Sequence, residues 1–289
     1  MKIVLTGANG FIGRNLKEFL SAKHEILPLS HTEIDLTDGS AVFDYLKKTQ
    51  PDAVIHAAAK PGHRKATDRE NLTFINLAMF VALSEGAKRA GVKKFLHFGS
   101  GSEFDMISRP LDFVTEADFG EKIPHDETGF PRYVETRLLR ESGYGYNLRC
   151  FGVYGKYEDY TMRFISNAVA KALYDLPIEI REDKAFSYLD VFDLCRLAEE
   201  FLTKDLPAGD YNAAPPFVLT MREIAKEIVQ KTRSSSPVIV LGTGNNYTAG
   251  TNKLQSALPE FAFTPFSHSL DELIRYYRGI LPEIDPKSL

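Results

Sequence analysis

The sequence has no tryptophan, only two cysteines in 289 residues, and no apolar run near the roughly eighteen residues a membrane-spanning helix needs. Cys150 and Cys195 lie in separate apolar segments, with no second cysteine or histidine at ligand spacing. That pattern speaks against a disulfide framework and against a metal site. Neither sign of charge dominates: 35 basic against 39 acidic residues leave a net charge of −4, which is not the footprint of a nucleic-acid binder. With 44% apolar and 26% charged residues the composition is not that of a disordered chain. The opening Met1-Lys2-Ile3-Val4-Leu5 breaks into Thr6-Gly7 before a stretch of signal-peptide length accumulates. The expectation is a soluble, cytoplasmic chain of one large domain or two modest ones, whose partner is a small molecule rather than nucleic acid or membrane.

What the sequence does have is alternation. Ile3-Val4-Leu5, Ile26-Leu27, Ala53-Val54-Ile55, Phe95-Leu96-His97-Phe98 and the stretch from Asn147 to Cys150 read as buried strands. Between them Phe11, Ile12, Leu16, Phe19 and Leu20 fall at helical spacing, as do Val42, Tyr45 and Leu46, and Phe74, Ala78, Val81 and Ala82. Repeated βαβ units of this kind make an α/β fold, a doubly wound parallel sheet with helices on both faces. From about residue 155 the chain turns richer in Tyr, Pro and irregular spacing, with helical patterns near 161–174, 191–203, 220–231 and 269–277 and a short strand at 238–241. That reads as a smaller C-terminal α/β lobe packed against the first.

Gly7-Ala8-Asn9-Gly10-Phe11-Ile12-Gly13 follows the first strand and opens the first helix. Glycine lets the backbone approach a pyrophosphate, and the N–H groups and positive dipole end of the helix meet its charge. The third glycine permits close packing of helix on strand. Position after a strand is what makes the motif informative. A Rossmann-type domain over 1–155 would then bind a dinucleotide, with returning segments near 186–215, while 156–289 would mainly bind substrate.

The spacing is G-x-x-G-x-x-G, and together with later segments it resembles the extended short-chain dehydrogenase/reductase, or NAD-dependent epimerase/dehydratase, family. Asp35-Leu36-Thr37-Asp38 is similar to the family's adenine-side loop, and Val54-Ile55-His56-Ala57-Ala58-Ala59 to its fourth strand and alanine turn. Asn76 matches an Asn of the next helix, Phe98-Gly99-Ser100 the strand that delivers a catalytic Ser or Thr, and Leu148 to Gly155 the R-x-F-N-V-Y-G segment that includes Phe151 and Val153. Val191-Phe192-Asp193 and Tyr211-Asn212 resemble later family segments. The subfamily it is most similar to is that of GDP-L-fucose synthase and 4-keto-sugar reductases. The resemblance implies an NAD(P)-dependent oxidoreductase acting on a nucleotide-activated sugar by 4-keto reduction or epimerisation, and a homodimer held by helices near 74–88 and 127–142 through Val134, Leu138 and Leu139. The second strand ends in Leu29-Ser30-His31, where nothing repels a phosphate and both polar side chains can donate to one, so NADP is preferred over NAD.

The resemblance also implies a Y-x-x-x-K pair, and the sequence has none. Two registers compete, both with Arg where Lys belongs. In one, Tyr133 and Arg137 keep the phenol. In the other, favoured by helix length, Thr128 and Arg132 replace the pair, and Pro131 is tolerated only in the helix's first turn. A threonine hydroxyl is a weak acid and guanidinium does not release its proton, so another acid is needed, with Tyr133 first and Glu103, Asp105 and His125 behind it. Ser100 is read as the substrate-oxygen donor, against the plainer reading of a serine that ends a strand by bonding local backbone. On the substrate side stand His63, Ser102 where the subfamily carries a catalytic Cys, Arg163, and Lys184 toward a diphosphate. These missing residues leave a second reading open, a catalytically lapsed relative that binds dinucleotide or nucleotide-sugar as a sensor or partner subunit.

Overall fold

The β-branched runs near the start of the chain become the middle strands of a parallel sheet. The computed structural model describes residues 1–30, 32–60 and 70–289, so His31 and His63 lie outside the described residues. The first half runs β1 (Lys2–Thr6), α1 (Phe11–Leu20), β2 (Glu25–Leu29), α2 (Gly39–Thr49), β3 (Ala53–His56), α3 (Leu72–Arg89), β4 (Lys94–Ser100), β5 (Leu111–Val114), α4 (Gly129–Ser142) and β6 (Tyr146–Cys150). The second runs β7 (Gly152–Tyr154), α5 (Phe164–Leu173), β8 (Ile178–Ile180), β9 (Ala185–Phe186), β10 (Tyr188–Asp190), α6 (Val191–Thr203), β11 (Gly209–Ala213), β12 (Leu219–Thr220), α7 (Met221–Thr232), β13 (Val238–Val240), β14 (Tyr247–Ala249), α8 (Asn252–Ala257) and α9 (Phe266–Ile280).

Six strands pair in parallel in the order β11-β6-β4-β3-β1-β2. Side chains alternate between the two faces. Ile3 and Leu5 join a core with Leu16 and Leu20 of α1 and Leu194, Leu197 and Phe201 of α6. Val4 and Val54 face the other way, into a core with Val42 of α2, Leu83 of α3 and Leu139 of α4. Both faces are covered, which is why β3 and β6 are buried at every residue.

The segment matched to the family's adenine-side loop forms no strand. Asp35 accepts from the N–H and hydroxyl of Thr37, and Asp38 caps α2 by accepting from the N–H groups of Ser40 and Ala41. Side-chain bonds of this local kind favour turns over sheet ladders. The strand matched as fourth is thus β3.

The smaller part has its own core under α5, α7 and α9, and small sheets β10-β7, β13-β8 and β12-β9-β14-β5. Two segments cross between the parts. β11 returns to the edge of the large sheet beside β6, and β5 leaves the first half to pair with β14. Among the described residues no helix is long and apolar enough to cross a membrane. Both cysteines are free and buried.

One buried acid in the smaller core sets a pH dependence. Burial pushes Glu158 from its ordinary value near 4.5 up to about 8, although the Ser166 hydroxyl donates to it and Arg163 lies near. Between those two values the folded chain holds a proton that the unfolded chain has lost. Stability is therefore full below about pH 4.5 and falls as pH rises toward 8. Glu158→Gln removes the ionisable group while keeping its shape. Its melting temperature should exceed wild type at about pH 8.5 and match it near pH 5; an identical pH slope in the two proteins would show that the carboxyl does not titrate there.

Candidate functional site

The turn after β1 can exist only with glycine at two places. Gly7 takes φ +68, and a Cβ on it would come within 2.6 Å of the Ala57 carbonyl group. A Cβ on Gly13 would come within 2.0 Å of the Gly7 carbonyl oxygen. Strand, helix and the Ala57-Ala58 segment thus lie backbone against backbone, and the Ala58 N–H donates to Thr6 Oγ1 at 3.3 Å. Asn9 and Gly10 are exposed in front of this cradle. The N–H groups of Phe11, Ile12 and Gly13 have no carbonyl one turn earlier within α1, which makes its start an anion site.

Around the cradle the sequence-read residues divide. At the tip of β2, the N–H and hydroxyl of Ser30 both donate to Glu33 Oε2 at 2.9 Å, and these bonds hold the Glu33 carboxyl below its usual range. Asp35 is exposed and bound to Thr37, while Leu36 is buried in the core. Asn76 is buried and clamps Lys60, accepting from its N–H at 2.8 Å and donating to its carbonyl at 3.2 Å. Ala59 is exposed beyond β3. Phe151 is buried between Phe104 and Tyr247, and Val153 packs half-buried on the large core.

Helix α4 begins at Gly129 with Pro131 in its first turn, the arrangement that the Thr128 and Arg132 register requires. Gly129 lies against the Ser102 carbonyl, so Thr128 stands beside the Ser100 turn. The Thr128 hydroxyl and N–H donate to Asp126. Arg132 donates to Glu135 Oε2 at 2.9 Å and approaches His97 Nε2 at 3.4 Å. Tyr133 stacks on Phe119 at 4.9 Å, while Arg137 is 59% exposed and paired with Glu141. Of the competing pair, Tyr133 is buried and Arg137 is turned to solvent one turn on along α4.

Ser100 ends β4, where its hydroxyl accepts from the Ser102 N–H at 3.2 Å and the Ser102 hydroxyl at 3.0 Å. The phenol of Tyr247 lies against the next residue, Gly101, where a Cβ would stand 2.6 Å from its oxygen. Lys184 pairs with Glu182 at 3.1 Å and lines a cavity of about 340 Å³ that Tyr247 also lines. Arg163 is exposed at the start of α5, near Glu158. Asp105 is buried, and His125 is exposed. Glu33 and Tyr247 were missed by the sequence reading: the first lies past the end of its strand, and the second comes up to Gly101 from β14.

Beneath the site runs a row of polar side chains in register across the sheet, Thr6, His56, His97, Asn147 and Asp210. All five are buried and meet polar residues of α4 or one another. Thr6 Oγ1 and His56 Nδ1 lie 3.0 Å apart, the two imidazoles stack at 5.3 Å, and His97 Nε2 lies 3.0 Å from Glu135. Burial, aided by His97, pushes His56 down to about 3. Burial alone would raise Glu135, but Arg132 and His97 hold it at about 2. At the other end buried Arg149 donates to Glu103 Oε2 at 2.8 Å, Asp210 Oδ2 at 2.7 Å and Asn212 Oδ1 at 2.9 Å.

The family model described as NAD dependent epimerase/dehydratase family matches residues 3–214. The chain belongs to this family. Among curated relatives it is similar to GDP-L-colitose synthase of Yersinia pseudotuberculosis, 35% identical over 35% of this chain and 33% of that protein. It is also similar to GDP-6-deoxy-D-mannose reductase of Pseudomonas aeruginosa, 30% identical over 49% of this chain and 45% of that protein. The matches thus span a third to under a half of these relatives' own length. Among solved structures, UDP-glucose 4-epimerase with UDP-glucose from Thermotoga maritima aligns with a TM-score of 0.83 at 20% identity, over 97% of this chain and 100% of that one. A GDP-L-fucose synthetase from Naegleria fowleri bound to NADP aligns with a TM-score of 0.83 at 16% identity, over 97% and 94%. These alignments show that the family fold spans both parts of the chain.

Arg149 makes the site's foundation testable. Arg149→Met keeps most of the side-chain bulk and leaves Glu103 and Asp210 buried without their cation. Breaking a buried ion pair in this way costs about 3–5 kcal/mol, read as a drop in the denaturant midpoint. A midpoint equal to wild type would show the network to be dispensable.

Proposed function

We propose that the chain binds a nicotinamide dinucleotide at the Gly7 to Gly13 turn and uses it on a nucleotide-activated sugar, by 4-keto reduction or epimerisation. The observation that carries this reading is the cradle: two glycines whose Cβ atoms would strike backbone, in front of an anion-binding helix start. Family membership and the relatives' names supply the substrate class. When bound, the dinucleotide would supply or accept a hydride. The residues around the large sheet would hold it, and the smaller part, with Lys184 and Arg163, would hold the sugar nucleotide. A cytoplasmic enzyme fits this chemistry.

The choice of dinucleotide turns on the tip of β2. Ser30 and His31 by themselves favour NADP, but the Glu33 carboxylate folded back on Ser30 occupies the place where an acid accepts from the two ribose hydroxyls and repels an added phosphate. We therefore take NAD as the better ligand, reversing the preference for NADP drawn from the strand end alone. A second reading, the lapsed relative, is favoured by the engagement of Thr128 with Asp126 and of Arg132 with Glu135. Turnover separates the two: loss of nicotinamide absorbance on adding a 4-keto nucleotide sugar supports the enzyme, and binding without turnover supports the sensor.

Titration calorimetry tests the cradle and its selectivity together. Gly10 has φ −79, and a Cβ there would meet only the Gly7 carbonyl oxygen at 3.3 Å, so the fold accepts a side chain. As the residue capping α1, aspartate should leave the melting temperature unchanged or raise it. Gly10→Asp should nevertheless abolish dinucleotide binding, because its carboxylate occupies the anion site. Glu33→Ser should narrow the preference for NAD over NADP. Wild-type affinity in Gly10→Asp would sink the binding site.

We further propose a homodimer through α3 and α4, where Phe74 is 70% and Leu138 38% exposed. Leu139, read as part of the contact stripe, is instead buried within its own chain, so the stripe narrows to Val134 and Leu138. Light scattering should give twice 32.4 kDa, and a concentration-independent mass of one chain would refute the dimer.

A further inference from the structure

A cavity of about 950 Å³ opens between the two parts of the chain, and no residue of the glycine turn or the Ser100 turn lines it. Its walls are Phe19 of α1, the start of α6 from Asp190 to Phe192, and Leu273, Tyr276 and Ile280 of α9. Helices α1 and α6 cover the face of the large sheet opposite α4, so the cavity lies behind the sheet from Thr128 and Arg132. Small-molecule sites have this size and this mostly apolar kind of wall. Phe192 is 55% exposed and meets Phe19 edge to face at 5.3 Å, and half-buried Tyr276 meets Tyr157 in the same way at 5.8 Å. Packing holds both rings and leaves each partly open.

One charge at this cavity has no counterpart. Glu18 pairs with Lys156 at 2.8 Å, Glu272 with Arg275, and buried Asp193, just behind the wall, with Arg196 at 2.7 Å. Half-buried Asp190 accepts from the N–H of Phe192 at 2.6 Å, and among the described residues no cation pairs with it. A carboxylate set beside apolar walls favours an occupant that brings the opposite charge on an apolar body. We propose that the cavity binds an arylalkylammonium ion, with its ring against Phe192 and Tyr276 and its ammonium group donating to Asp190. An anion finds Lys156 and Arg275 already taken, and a neutral ligand leaves the carboxylate unpaired. Burial, with Asp193 and Glu272 near, pushes Asp190 up to about 6, although the Phe192 N–H draws it down. The phenol of Tyr154 and the thiol of Cys195, which also face it, are pushed up by burial and stay neutral. The ammonium ion therefore meets a charged partner above about pH 6 and a neutral one below it. This site does not depend on which reaction the cradle serves.

Titration calorimetry near neutral pH with tryptamine, its neutral analogue skatole and its anionic analogue indoleacetate varies the charge on one ring system. Tryptamine should bind the wild-type chain best and indoleacetate worst. Asparagine caps a helix as well as aspartate does, so Asp190→Asn should keep its melting temperature. It should nevertheless bind tryptamine about tenfold to a hundredfold more weakly, the worth of one hydrogen bond to a charged group, and bind skatole as before. Phe192→Ser should weaken tryptamine and skatole alike. Wild-type affinity for tryptamine should fall as pH drops through about 6 and stay flat in Asp190→Asn. Tryptamine bound equally by wild type and Asp190→Asn, or no tighter than indoleacetate, shows that Asp190 does not read the charge and overturns the proposal. Absence of tryptamine binding to wild type overturns the site itself. Should Asp190→Asn not fold, the ranking of the three probes and the wild-type pH profile decide alone.

Discussion

The arrangement depends on one buried guanidinium. Arg149, fully buried on β6, takes Glu103 on one side and Asp210 on the other. Through Glu103 it reaches the Ser100 N–H at 2.9 Å and the Thr136 hydroxyl of α4 at 2.8 Å. Through Asp210 it reaches Arg140 of α4 and the edge strand β11. Charges removed from water are tolerated only where the remaining lone pairs and protons find partners, and here Glu103 adds neutral donors to Arg149 while Asp210 is held by Arg140 and Arg149 together. Burial would raise Asp210, yet Arg140 and Arg149 hold it at about 2. The same bonds that neutralise the arginine set the pose of the Ser100 turn, so structural electrostatics and site geometry are one constraint.

The polar row across the sheet extends that constraint to the dinucleotide side. A parallel sheet buried on both faces ordinarily carries apolar residues throughout. Here one rung of five polar residues in register lies beneath the site, with Arg132 and Glu135 of α4 at its middle. Arg132, in one of the two registers read against the family's lysine, is bound into its own scaffold. The cation has become part of the floor of the site.

The fold was legible where signals are local and repeated. Three glycines after a strand, the apolar spacing of residues 191–203 and the β-branched run Ala53-Val54-Ile55 each carry their structure in a few neighbours, and each forms the element expected of it. Of the candidate site, the glycine turn was legible and the polar floor beneath it was not. His56, His97 and Asn147 lie on three different strands, and nothing in one strand announces that pairing will align them. Glu33 escaped because its carboxylate returns to Ser30 through a turn that belongs to no periodic pattern. Leu139 misled because a helical stripe does not say which neighbour covers it.

The exchange of β5 for β11 has a consequence for the order in which the chain acquires its structure. Leu111 pairs with Tyr247, so a strand made early waits for one made late. Contacts this distant in sequence carry a loop-closure entropy that slows folding, and an unpaired strand edge exposed meanwhile invites pairing with other chains. During synthesis the glycine turn and the first four strands of the large sheet are complete long before β11 and β14 emerge. A nascent chain would thus hold the elements of a dinucleotide cradle while Ser100 and its turn still lack both Asp210 and Tyr247, and occupancy of that cradle during translation would favour the compact half at the stage when its edges are most exposed.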